Sequence, residues 1–145
     1  MAFTGNAFCT SAKVGFLTGT YVPLTDTMKI ALYTNSATLD ATTTAYVATT
    51  GQGAFEVVGT GYTIGGNTLI TPVITSDGTT AYITFGNSSW TTATITARGA
   101  LIYDSSASNA AIAVLDFGAD KTSTAGTFTV QMPVAAASTA LIRIA

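Results

Sequence analysis

Apolar and polar residues alternate in short runs from residue 28 onward, which is the pattern of β-strands that bury one face. The run MKIALYT, for example, places Met28, Ile30 and Leu32 on one face of a strand. Turn-forming stretches such as GYTIGGN, SDGT, FGNSS and TSTAGT separate these runs at short intervals. The predicted strands are residues 28–34, 55–59, 69–75, 81–85, 92–103, 111–117, 128–132 and 139–145.

About eight antiparallel strands at this spacing predict an all-β sandwich or barrel. No helical pattern alternates with the strands, which disfavours a parallel sheet. Pro72 lies inside a predicted strand and cannot donate a ladder hydrogen bond, so that strand is expected at a sheet edge. No linker or charge block divides the sequence. A single domain is therefore predicted for residues 1–145, with an N-terminal segment at 1–20 and the strand-rich part at 26–145.

The N-terminal segment departs from the alternating pattern. Residues 7–18, AFCTSAKVGFLT, predict one short helix with Asn6 as its N-cap and Gly19 just past its end. Gly15 weakens this helix by about 1 kcal/mol relative to alanine. The apolar side chains here lie outside the strand pattern, so they either cover a sheet edge or dock on a partner. The candidate partner-contact residues of the segment are Phe3, Phe8, Phe16 and Leu17.

Charged residues make up only 8% of the chain, whereas an average soluble domain has about 25%. The net charge is −2 and the five basic residues are scattered, so the basic patch that nucleic-acid binding needs is missing. We therefore expect no direct contact with nucleic acid. Threonine and serine have to provide the polar surface. Such a surface suits a protein packed against neighbours, and it equally suits an ordinary threonine-rich sheet.

The residue types of common catalytic and metal sites are missing from the sequence. There is no histidine and one cysteine, Cys9, which excludes an internal disulfide, a Cys/His zinc site and a Ser-His-Asp triad. Cys9 is expected to be a small buried hydrophobe. The stretch GTGYTIGG is only partly like a dinucleotide-binding motif, because Ile64 replaces the third glycine and no helix follows. Neither an enzyme nor a bound metal or cofactor is predicted.

No segment is predicted to cross a membrane. The longest apolar stretches, such as AAIAVL, are far shorter than the roughly 20 residues of a membrane helix. The N-terminal stretch MAFTGNAFCTSAK lacks the basic start and the apolar core of a secretory signal. We expect a protein that is made in the cytoplasm and has no membrane partner.

Arg98 is unusual because it lies inside the apolar run TARGALIY. In a strand it belongs to the face opposite the more consistently apolar one, which contains Ile95 and Leu101. It is therefore expected to point away from the main core. A buried, unpaired guanidinium is costly, so Arg98 should pair with Asp104 or Asp116 within the sheet, or contact a partner protein.

Aromatic residues are further candidates for a binding site. They would line a sugar-binding groove if they were exposed together, although sheets also use such residues for cross-strand packing. Trp90 follows the FGNSS turn and is predicted to plug the end of the β structure. The residues are Trp90, Tyr33, Tyr46, Tyr62, Tyr82 and Tyr103.

Four stretches together resemble a family of small virion proteins of tailed bacteriophages. They are DTMKIALYTNSATLDATTTAY (26–46), VGTGYTIGGNTL (58–69), WTTATITARGALIYD (90–104) and VLDFGADKTSTAGTFTVQMP (114–133). Members of that family are jelly-roll cement, or decoration, proteins that sit outside the phage head and bridge neighbouring major capsid subunits. The resemblance implies a jelly-roll sandwich on the outer surface of the capsid that stabilises the shell against the pressure of packaged DNA.

The resemblance also implies partners. They are the major capsid protein and further copies of the chain, as a dimer or trimer on the shell. Two other functions use the same β architecture. One is a carbohydrate-binding module on the virion surface or tail, which a clustered aromatic groove would favour. The other is a tail or head-completion component, which differs from a decoration protein in its copy number per particle.

Overall fold

A computed structural model describes residues 3–47 and 55–145, and this part of the chain contains one helix and eight strands. The helix is α1 (Thr10–Leu17). The strands are β1 (Ala7–Phe8), β2 (Met28–Tyr33), β3 (Asn67–Thr68), β4 (Val73–Asp77), β5 (Thr80–Thr84), β6 (Ser88–Asp104), β7 (Ala110–Val130) and β8 (Ile142–Ile144). Within these described ranges, no helix has the length and apolar character needed to cross a bilayer.

The strands form two antiparallel sheets in a sandwich-like arrangement. The larger sheet has the order β1-β7-β6-β2-β3, and the smaller one has the order β4-β5-β8. Every strand pair is antiparallel. The predicted all-β antiparallel sandwich with a short N-terminal helix is therefore confirmed. This strand order does not establish jelly-roll connectivity, which stays a prediction.

The centre of the larger sheet is buried on both of its faces. Ile30 of β2 pairs with Ile102 of β6, and Leu32 pairs with Ala100; all four side chains are fully buried. The alternating pattern predicts that the face containing Ala100 and Ile102 points away from the core, and this prediction is wrong. The reason is that one continuous hydrophobic cluster includes residues from both faces of β6.

β6 and β7 form a long hairpin. The sequence pattern predicts two strands at 111–117 and 128–132 with a turn at TSTAGT between them, but β7 runs through the whole stretch without a break. The partner strand β6 has 17 residues and pairs along the length of β7. Three of the four register shifts place extra residues on β7, and the fourth, between Trp90 and Ala93, places one on β6. Within TSTAGT, Thr124 and Ala125 are unpaired and form a bulge instead of a chain reversal.

Several shorter elements differ from the prediction. Residues 55–59 do not form a strand, and Glu56 makes only an isolated bridge with Tyr33. The two-residue strands β1 and β3 have no alternating signature and are not predicted. The strand predicted at 69–75 corresponds to β4, which lies at the edge of the smaller sheet as expected. It begins only after Pro72, so residues 69–72 lie outside the strand.

The helix begins later than predicted because β1 takes up the preceding residues. Cys9 is its N-cap and provides no side-chain cap hydrogen bond. Asn6, the predicted cap, instead accepts the backbone N–H of Asp116 on β7 at 2.7 Å. The predicted end is confirmed, because Gly19 follows α1 with a φ of 70°. Packing explains the glycine inside the helix, Gly15, because a Cβ there would collide with the ring of Tyr21.

Candidate functional site

Glu56, the only glutamate of the sequence, is buried among aromatic side chains. Its carboxylate accepts hydrogen bonds from the hydroxyls of Tyr46 (2.8 Å) and Tyr62 (2.6 Å) and from the N–H of Gly65 (2.7 Å). Tyr103 stacks on Tyr46 with the ring centroids 4.4 Å apart, and its hydroxyl donates to the carbonyl of Gly65. We call these five residues the Glu56 cluster.

The Glu56 cluster connects the 55–66 region to the larger sheet. Burial, followed by the hydrogen bond to Glu56, raises the pKa of both Tyr46 and Tyr62. Burial also raises the pKa of Tyr103 to about 12. The phenols are therefore neutral hydrogen-bond donors at physiological pH. Because the hydroxyl of Tyr62 also accepts the N–H of Leu32 at 2.9 Å, the cluster joins the 55–66 region to β2.

Asp104 is a second carboxyl group that is fully buried. Its Oδ1 accepts the N–H groups of Ser106 (2.9 Å) and Ala107 (3.2 Å), which organises the turn between β6 and β7. Its Oδ2 has no hydrogen-bond donor in the described chain, and the carboxyl group of Asp26 lies beside it. Burial, together with this neighbour, raises the pKa of Asp104. The burial and the neighbouring carboxyl group therefore favour the protonated form of Asp104.

A metal centre has no basis in the part of the chain that the structure describes. No group of three or more histidine, cysteine, aspartate or glutamate side chains there is placed to hold an ion. Cys9 is buried, as the sequence predicts, and burial raises the pKa of its thiol to about 11. The thiol is therefore protonated at physiological pH and packs as a small apolar group.

The aromatic residues proposed for a sugar-binding groove lie mostly inside the protein. Trp90 packs between Tyr62 and Phe128, with ring centroids 5.8 Å and 6.2 Å away. Tyr62 is half-buried. These side chains therefore do not present a shared aromatic surface. The buried members are Tyr33, Tyr46, Tyr82, Trp90 and Tyr103.

Arg98 forms the predicted ion pair with one of its two candidate partners. Its Nε donates to Oδ1 of Asp116 at 3.0 Å, and both side chains are largely buried. The other candidate, Asp104, lies at the end of the same strand and does not contact Arg98. The guanidinium, followed by the N–H of Gly118, lowers the pKa of the Asp116 carboxyl group. The charge of Arg98 is therefore satisfied within the chain.

The apolar residues of the N-terminal segment separate into two groups. Phe3 is fully buried against Gly99, where even a Cβ would collide with its ring, so Phe3 is a core residue and offers no surface to a partner. Phe8 and Phe16 are half-buried, with ring centroids 5.8 Å apart, and Leu17 is 87% exposed. The candidate contact surface is therefore reduced to the last three.

These three residues line a cleft of about 400 Å³ between α1 and the end of β8, which we call the α1–β8 cleft. An apolar hollow of about 110 Å³ adjoins it and shares Phe16 and Ile144 with it. Ile74, Ile83 and Ile142 form a row across the smaller sheet in that hollow. The α1–β8 cleft is lined by Phe8, Lys13, Phe16, Leu17, Arg143, Ile144 and Ala145.

The sequence pattern predicts Phe8, Phe16 and Leu17 as contact residues, but it does not predict the residues of the other wall of the α1–β8 cleft. Arg143 and Ile144 belong to β8, which is more than 120 residues away along the chain. Their proximity to α1 depends on the pairing of β8 with β5 and on how the two sheets pack. No local signal in the run TALIRIA indicates this.

Comparisons of the chain with protein-family models, with curated proteins and with solved structures give no match. The class that the structure defines is therefore an antiparallel β-sandwich with an apolar cleft beside its N-terminal helix.

Proposed function

We propose that this protein is a structural virion protein of a tailed bacteriophage, a cement or decoration protein without catalytic activity. It binds the outer surface of the assembled major capsid shell and stabilises the shell against internal DNA pressure. Further copies of the chain join it there as dimers or trimers. The resemblance of the four sequence stretches supports this role and carries with it the expectation of jelly-roll connectivity.

The observation that carries the proposal is the apolar surface at the α1–β8 cleft. Leu17 is 87% exposed and Ile144 is 58% exposed, and both lie beside the half-buried Phe16. Exposed apolar side chains that converge from distant parts of a chain are typical of protein–protein contact sites. Burying one leucine side chain in an interface contributes roughly 1.5–3 kcal/mol.

Cementing then follows from mass action. A protein that binds the assembled shell and not its free subunits stabilises the assembled state by its binding free energy. Many copies, each bridging neighbouring subunits, add their contributions over the particle. The low density of charge suits such packing, because few ionised groups lose water when the surface is covered.

The test is co-sedimentation with DNA-free, expanded heads of the phage that encodes the chain. We expect the wild-type protein to pellet with heads and not with unassembled capsid protein. Leu17→Gln should weaken binding about tenfold or more, since it removes an apolar contact of this size. Val58→Gln is the matched control, because Val58 is 85% exposed and lies outside the α1–β8 cleft.

Other outcomes point to the other functions. Retention of wild-type protein in the supernatant at saturating concentration contradicts the proposal. The copy number per virion is measured by gel densitometry. A number that fits a single ring indicates a tail or head-completion component, whereas hundreds of copies indicate decoration. Binding to host glycans without binding to heads indicates a carbohydrate-binding module.

A further inference from the structure

The α1–β8 cleft is one part of a longer cleft along the edges of both sheets. Two adjoining cavities, of about 290 and 540 Å³, also have Phe8 and Arg143 in their walls. Because the three spaces share these two residues, they form one continuous surface from the N-terminal helix to the residues that precede β8. Its walls include β1 on one side and Leu141 and Arg143 on the other.

Both walls contain edge strands. Within residues 3–47 and 55–145, β1 pairs only with β7 and β8 pairs only with β5, so each has one side without a strand neighbour. Unpaired strand edges offer backbone N–H and C=O groups to an extended chain. The shape of the surface therefore suits an extended segment better than a helix.

The charged side chains on this surface have one sign. The chain has seven acidic and five basic residues, yet Arg143 lines all three cavities, Lys13 lines the α1–β8 cleft, and no acidic side chain lines any of them. Arg143 donates to the carbonyl of Ser138 at 2.8 Å, and Nζ of Lys13 lies 5.8 Å from the ring centroid of Phe8. Among the described residues, neither forms an ion pair.

We propose that this cleft binds an extended, apolar segment of a partner protein that bears at least one carboxylate side chain. The apolar residues of the segment pack on Phe8, Leu17 and Ile144, and its carboxylate pairs with Arg143 or Lys13. Charge complementarity of this kind fixes the register and the choice of partner. The assignment rests on the proposed function, in which the partner is the major capsid protein.

The first experiment tests the chemistry of the cleft without capsids. A short capped peptide in which valine alternates with glutamate is titrated into the isotope-labelled full chain and followed by NMR. We expect saturable shifts of the amide signals of β1, α1 and β8, and no such shifts with the matched valine–lysine peptide. Arg143→Glu should weaken binding of the glutamate peptide about tenfold and favour the lysine peptide. Lys121→Glu, on the distant part of β7, is the control.

Lys13→Glu repeats the charge reversal on the other wall, so the test does not depend on the folding of a single variant. Shifts spread over the surface, or equal binding of both peptides, would overturn the proposal. The same variants are then sedimented with expanded heads. If wild type binds heads and both reversals bind equally well, the cleft assignment is wrong and the proposed function stands. If the glutamate peptide binds at the cleft but wild type does not bind heads, the proposed function is wrong and the assigned ligand chemistry stands.

Discussion

Arg98 and Asp116 form a two-point ion pair across a break in the β6–β7 ladder, with Nε 3.0 Å from Oδ1 and Nη2 3.4 Å from Oδ2. On β6, only Arg98 lies between the paired residues Ala97 and Gly99. On β7, residues 117–120 lie unpaired in the corresponding gap. The ion pair therefore joins the two strands at a place where backbone hydrogen bonds are interrupted. This explains why a chain with few charges has an arginine inside an apolar strand.

Replacing this arginine should destabilise the fold. Arg98→Met leaves the largely buried carboxylate of Asp116 without its cation, which should cost about 1–3 kcal/mol in urea unfolding at neutral pH. Arg143→Met is the matched control, and because Arg143 is exposed it should change stability by less than about 0.5 kcal/mol. Equal stability of Arg98→Met and wild type would contradict the structural role of the pair.

The effect of Arg98→Met should also depend on pH. The pKa of Asp116 is lowered in the folded protein, chiefly by Arg98, so the stability it contributes is present above the pKa of the unfolded chain. That contribution is lost as the pH falls through the folded-state pKa. The difference between wild type and variant should therefore shrink in acid, and a constant difference across the acid range would count against the ion pair as its cause.

Asp104→Asn should have the opposite pH dependence. Because the pKa of Asp104 is raised above 3.8, its contribution to stability is fully present below the pKa of the unfolded chain. It is lost as the pH rises through the folded-state pKa. The amide oxygen of asparagine can still accept from Ser106 and Ala107, and its NH₂ can donate to Asp26. We therefore expect the variant to be more stable than wild type at neutral pH, with the gain disappearing in acid. A loss of stability at neutral pH would show that the ionised form is the one the fold needs.

The Glu56 cluster provides a fourth prediction. Tyr62→Phe removes a hydrogen bond to a buried carboxylate and leaves the N–H of Leu32 without its acceptor, so the free energy of unfolding should fall by about 2–3 kcal/mol. Tyr21→Phe is the control, because the hydroxyl of Tyr21 makes no hydrogen bond to the described residues and its loss should be nearly neutral. Similar effects of the two substitutions would mean that the cluster contributes little.

The sequence predicts the positions of strands well where apolar and polar residues alternate. β2, β5 and most of β6 lie at the predicted positions, although β2 and the second half of β6 are buried on both faces. The prediction fails where long-range pairing decides the structure. The glycine-containing run TSTAGT stays in β7 because β6 pairs with it, and residues 55–59 contact β2 only through an isolated bridge at Glu56, whose side chain accepts from two tyrosines.

The candidate site is predicted only in part for the same reason. The sequence singles out the apolar residues of the N-terminal segment but cannot separate Phe3, which packs on Gly99, from Leu17, which is exposed. Both are apolar residues outside an alternating pattern. Their different roles depend on contacts with β6 and β8, which lie far away in the sequence. The ion pair of Arg98 was predictable, because a buried guanidinium needs an acid within reach.

Deletion of residues 1–19 distinguishes a role of the N-terminal segment in folding from a role in docking on the capsid. It removes Phe3 from the core, β1 from the edge of β7, and α1, whose Ala12 is fully buried. Loss of a buried aromatic side chain alone costs about 3–5 kcal/mol, which is comparable with the total stability of a small domain. We therefore expect the truncated chain to lose cooperative thermal unfolding or to aggregate. Leu17→Gln, by contrast, should melt like wild type, since Leu17 makes little contact with the core. A truncated protein that still melts cooperatively, but no longer attaches to capsids, would show that the segment serves docking alone and that the core closes without Phe3.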